Sequence, residues 1–69
     1  MGRVDRRIIA ANLNTASVVI FTAIHVIERL TVRYDTGLTP KELDHVAVTV
    51  EQLKSAVLRI RTIEESCKR

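Results

Sequence analysis

A chain of 69 residues, 46% of them apolar and only Phe21 and Tyr34 aromatic, holds one small domain, 1–69, and excludes a two-domain enzyme. A chain this short buries only about 60% of the surface it exposes when unfolded, so it calls for a staple or a partner subunit. Cys67 is the only cysteine, which excludes an intrachain disulfide and a four-cysteine zinc site, and a net charge of +3 is too evenly mixed to single out nucleic acid.

Residues 5–34 read as a first helix. Leu13, Ala16, Ile20, Ala23, Ile27, Leu30 and Tyr34 recur at helical spacing, and Ile8, Val19 and Val26 widen the stripe, so the helix is apolar on more than one side. Ile8 to Ile27 is a run of twenty residues without Asp, Glu, Lys or Arg, long enough to cross a bilayer. Asn12, Asn14, Thr15, Ser17, Thr22 and His25 lie inside that run and there is no Trp, which argues for a soluble chain. In Asn12-Leu13-Asn14-Thr15 three of four side chains compete for backbone hydrogen bonds, leaving the helix open to a kink or to a start delayed until Thr15. Lipid-anchor patterns are unmet: Arg6 stands where myristoylation after Gly2 wants Ser or Thr, and Cys67 is third rather than fourth from the end. The expectation is a cytoplasmic protein with a reduced thiol.

Residues 35–39 form the loop, where Gly37 and Pro40 fall close together. Thr39-Pro40-Lys41-Glu42 is a helix start: Thr39 as N-cap, Pro40 at the first helical position, and Glu42 reaching back to close a capping box. The second helix covers residues 40–67. Leu43, Val46, Val50, Leu53, Val57, Ile60, Glu64 and Cys67 keep 3-4 spacing, a heptad seam interrupted at Glu64, where Ile63 is expected to cover the gap. Lys68 and Arg69 suit the negative end of that helix. The β-branched stretch His45 to Val50 also fits a short strand, but helical pattern continues on both sides.

A connection of about five residues joins antiparallel helix neighbours. The expected fold is therefore all-α: a two-helix hairpin with Leu13, Ile20, Ile27, Leu43, Val46, Val50, Leu53, Val57 and Ile60 at its core. One hairpin leaves the outer side of helix 1 wet, so two hairpins forming a four-helix bundle, a homodimer, bury it most simply.

Chemistry-bearing constellations are few. Glu42-x-x-His45 matches the pattern of di-iron bundles, with His25 and Glu28 counted as roughly level with His45, yet the capping box already accounts for Glu42. No metal or cofactor is expected. Ser17, Ser55 and Ser66 lack a His/Asp arrangement, Cys67 lacks a group to lower its pKa, and no glycine-rich loop cradles phosphate, so no enzyme is expected either. Residues 38–61 resemble the helix-turn-helix of sigma-factor and response-regulator domains. In that alternative, Thr49-Val50-Glu51-Gln52 opens a recognition helix and Lys54, Arg59 and Arg61 meet phosphates. The turn is one residue short and contains Val48, and the seam through Val46, Val50 and Leu53 treats residues 40–67 as one rod.

Arg3, Arg6 and Arg7 lie level with Glu64 and Glu65 in a hairpin and are expected to pair with them. At the loop end both charges gather around one aromatic, the composition of an interface anchor. Tyr34 and Arg33, with the acidic Asp35, Glu28, Glu42 and Asp44, are the candidate partner-binding residues.

Length, absence of chemistry and a two-helix dimer with a charged loop end resemble the small inhibitors that phages make against host regulators, more narrowly the anti-quorum-sensing family. The resemblance spans Met1 to Arg69 and rests on layout and the Thr39-Pro40 hinge. It implies a non-catalytic homodimer in the host cytoplasm that binds the DNA-binding domain of a quorum-sensing transcriptional activator. It also implies a second target, the ATPase that extends type IV pili, and neither nucleic acid nor membrane as a partner.

Overall fold

The computed structural model describes residues 4–68 and contains two helices, α1 (Arg6–Arg33) and α2 (Pro40–Lys68), joined by the extended segment 34–39. They lie antiparallel in a rod of 49 × 23 × 16 Å. The sequence expectation of an all-α hairpin holds, with the boundaries moved by one residue at each end of α1 and by one at the end of α2.

Local chemistry fixes both starts. Asp5 is the N-cap of α1, its Oδ1 accepting from the Arg7 backbone N–H at 2.8 Å, so a donor that the helix cannot satisfy internally is met by a carboxylate. At α2 the capping box closes in both directions: the Glu42 N–H donates to Thr39 Oγ1 at 3.1 Å, and the Thr39 N–H donates to Glu42 Oε1 at 3.0 Å. α1 runs unbroken through Asn12 to Thr15. The Asn12 amide donates to the Ile8 carbonyl at 2.8 Å and the Thr15 hydroxyl to that of Ala11 at 3.1 Å. These side chains bond back to their own helix and do not break it. Residues 45–50 are helical as well, so the strand alternative is not taken up.

The core is a single seam of two interlocking stripes. Ile24, Val50 and Val57 are its buried centre, packed by half-buried Ile20, Ile27, Val46 and Leu53. On α2 the stripe is the expected one from Val46 through Val57 and Ile60, while Leu43 sits exposed at the rim. Glu64 itself lies in the seam, 7% exposed, and Ile63 is 51% exposed and covers nothing. Rotating α2 to bury Ile63 would withdraw Val50 and Val57, and small Ala10 beside Glu64 leaves room for the carboxylate to turn to Lys68 Nζ at 2.8 Å.

On α1 the stripe differs from expectation. Leu13, Ile20 and Ile27 belong to it, but its buried members are Ala10, Ser17 and Ile24, and Ala23, Leu30 and Tyr34 face water. A helix apolar on every side offers several stripes of equal spacing, and the partner helix chooses among them. It chose the one centred on Ile24, with small Ala10 and Ser17 buried in the same row. Ser17 meets burial by donating to the Asn14 carbonyl at 2.9 Å.

Candidate protein-binding surface

The loop end is the most structured polar surface of the hairpin. α1 stops at Tyr34, whose backbone turns extended (φ −125°, ψ 151°) while its N–H still donates to the Leu30 carbonyl at 3.2 Å. Asp35 Oδ1 then accepts from the Gly37 N–H at 3.0 Å, and Thr36 Oγ1 from the Leu38 N–H at 3.3 Å, two side-chain turns in succession. Gly37 takes φ +71°, a left-handed conformation that side-chain-bearing residues rarely adopt. With the capping box following directly, the whole corner is held by local hydrogen bonds.

Tyr34 projects from this corner 63% exposed. Arg33, its chain neighbour, and Asp44, near the start of α2, are exposed too, and among the described residues none of the three has a side-chain hydrogen bond or ion pair. The other candidate contact residues are partly occupied. Asp35 holds the turn and Glu42 holds the capping box, where its carboxylate accepts from the Thr39 backbone N–H and then from the Thr39 hydroxyl, which lowers the Glu42 pKa from its ordinary value. Glu28 is turned to the flank of the hairpin, where its Oε2 accepts from Lys54 Nζ at 3.2 Å. That hydrogen bond, with the charge of Glu28 and the more distant Glu51, raises the Lys54 pKa above 10.5.

The flank carrying this pair holds charges of both signs. Phe21, Lys54, Leu58 and Arg61 line one groove there, and Arg7, Asn14, Glu64 and Lys68 line another. Phe21 also meets His25 edge to face, centroids 4.5 Å apart and planes at 82°, so His25 is tied to an aromatic neighbour. Arg6 and Arg7 do not pair with Glu64 and Glu65 as expected: the Arg6 guanidinium donates to the Ser66 carbonyl at 2.9 Å, and Arg7 folds onto Asp5 at 3.4 Å. Glu64 is taken by its own helix neighbour Lys68, whose pKa is raised by that hydrogen bond. Arg3 and Arg69 lie outside the described residues.

Glu28 is directed at Lys54, so Glu42, His45 and Glu28 do not converge. Among the described residues no three His, Cys, Asp or Glu side chains gather to hold a metal ion. Cys67 is half-buried at the end of the seam. Residues 40–61 are one continuous helix, so the bend between the two helices of a helix-turn-helix is not present, and Lys54, Arg59 and Arg61 lie along a single rod. α1 is long and apolar enough to cross a membrane, and only 17% of its most apolar window is buried inside the hairpin.

No family model, curated protein or solved structure matches the chain.

Sequence reasoning missed the Asp5 cap, although Asp just ahead of an apolar helical run is a known start signal. It also missed the Glu28–Lys54 pair, which links residues 26 positions apart and has no local signal.

Proposed function

We propose that the chain is a non-catalytic inhibitor that works as a homodimer in the host cytoplasm, binding the DNA-binding domain of a quorum-sensing transcriptional regulator and keeping DNA from it. The observation that supports this reading is the loop end, where exposed Tyr34 and its chain neighbour Arg33 stand on a corner held by local hydrogen bonds, with exposed Asp44 near the start of α2; among the described residues neither Arg33 nor Asp44 has an ion pair. A pre-ordered corner loses little conformational freedom on binding, and an aromatic with Arg beside it is the composition of an interface anchor. DNA-reading domains present Arg and Lys that otherwise meet phosphates, and the carboxylates of Asp35, Glu42, Asp44 and Glu28 offer them the opposite sign.

The mechanism is occlusion: a rigid rod seated on the regulator's recognition helix excludes the duplex by volume and by charge. The resemblance to phage anti-quorum-sensing inhibitors supplies the target class, and it adds the pilus extension ATPase as a second target.

Affinity capture from the nuclease-treated lysate of a bacterium that senses quorum through a DNA-binding activator tests the reading. Recovery of that activator by the parent chain, and at least about tenfold weaker binding by Tyr34→Ala with helicity and mass unchanged, is the expected result. Equal affinity of parent and variant removes Tyr34 from the site, and capture of nucleic acid alone overturns the reading.

A further inference from the structure

We infer that the two hairpins meet through the outer side of α1, along Ile9, Asn12, Ala16, Val19, Ala23, Val26 and Leu30, and that the occupant of this face is a second copy of the chain. The inference rests on the homodimer reading above and gives it a surface.

Area is the first support. Surface-to-mass scaling gives roughly 7,200 Å² for a compact protein of twice 7.8 kDa, whereas each separate hairpin exposes 5845 Å². Two hairpins therefore leave roughly 4,400 Å² open beyond that of a compact pair, within the range of about 2,000 to 5,000 Å² that obligate homodimers bury.

Pattern is the second. The stripe repeats with 3-4 spacing over three heptads, one residue out of step with the seam that α1 already uses against α2, so the same helix carries two adjacent seams. Val19 is 61% exposed in the separate hairpin, and Ile9, Val26 and Leu30 are exposed with it.

Charge decides between the two flanks. Between Ile9 and Leu30 the stripe has no ionisable group. The opposite flank carries Arg7, Lys54, Arg61 and Lys68 with Asp5, Glu28, Glu51 and Glu64, most of them already in ion pairs. Pairing two copies through that flank would take these charges out of water, whereas the α1 stripe has none to desolvate. The hydroxyls beside the stripe have already spent their donors inside the helix, Thr15 on the Ala11 carbonyl and Thr22 on the Val18 carbonyl at 2.9 Å, and lose little when water is removed. Asn12 gives one amide N–H to the Ile8 carbonyl and keeps a second N–H and its Oδ1 for the facing copy.

Val19 lies at the middle of the stripe, so a two-fold axis through its centre brings Val19 close to its copy in either relative direction. Sedimentation equilibrium of the full chain is expected to give twice 7.8 kDa, with Val19→Glu falling to the monomer mass or losing its helical signal. An equimolar mixture of Val19→Glu and Val19→Lys restores the dimer mass and the helicity. Leu58→Glu, an equally exposed substitution on α2, leaves the mass at the dimer value. A parent chain of monomer mass, a Val19→Glu dimer as tight as the parent, or no rescue on mixing overturns the assignment. So does cosedimentation of the parent with anionic lipid vesicles that Val19→Glu abolishes without any change in mass. A dimer through Val19 that captures no regulator leaves this surface standing and removes the functional reading, whereas a monomer that captures one removes the surface and the homodimer but leaves regulator binding.

Discussion

Thr39 and Glu42 show how two side chains set the geometry of the exposed corner. Each satisfies the other's backbone N–H, so the box fixes the first turn of α2 and with it the direction in which the loop leaves Tyr34. Thr39→Ala is expected to cost about 1 kcal/mol in thermal or denaturant unfolding. Glu42 has a folded-state pKa below its unfolded value, so its contribution is fully present above the ordinary carboxylate range and is lost as pH falls through the depressed value. The protection of the Thr39 amide, taken relative to its intrinsic exchange rate, should therefore fall as pH drops through that depressed value. In Glu42→Gln, which keeps the capping geometry without a titrating group, it should show no such step. An acid transition of the same size in both proteins would mean that another group controls this turn.

Both helices were legible, but the inward side of α1 was read only in part while that of α2 was read nearly whole, for one physical reason. On α2 the stripe Val46, Val50, Leu53, Val57 and Ile60 is the one apolar row that continues along the helix, and the apolar residues off it, Val48, Leu58 and Ile63, stand singly and exposed. α1 has apolar residues on every side, and its inward side is chosen only by contact with α2, which selected Ala10, Ser17 and Ile24 over Ala23, Leu30 and Tyr34. At the candidate site, the capping box and the exposed Tyr34 could be read because both depend on near neighbours. The engagement of Glu28 by Lys54 could not, because it depends on how two helices align. Glu64 gives a sharp test of the seam. It is a buried carboxylate with one ion partner, Lys68, which is itself half exposed and loses little when left alone. Glu64→Leu is expected to stabilise the fold by about 1 kcal/mol, read as a raised midpoint at fixed protein concentration. Val57→Asp, which sets a charge in the middle of the same seam, is expected to abolish most of the helical signal, and a folded variant with unchanged midpoint would contradict the packing.

At the scale of the molecule, a rod of 49 × 23 × 16 Å with a core of a few buried residues has two unequal surfaces left for partners. The uncharged side of α1 suits a second copy, and the charged corner at Tyr34 lies at the end of the rod, clear of the middle of that stripe. Dimerisation through α1, as proposed, would leave two copies of the corner available, one on each hairpin, and a regulator that is itself dimeric would be engaged at both. Such double attachment raises apparent affinity without any new contact. It follows that Val19→Glu should weaken capture of a dimeric regulator even though Val19 lies away from the proposed contact.

The most direct measurement is the release of fluorescent operator DNA from the regulator's DNA-binding domain on titration with the purified chain, followed by anisotropy. Stoichiometric release by the parent, and at least about tenfold more protein needed for Tyr34→Ala, is the predicted result. Operator that stays bound at saturating hairpin, or a rise in anisotropy when the hairpin meets the DNA alone, would contradict inhibition by occlusion.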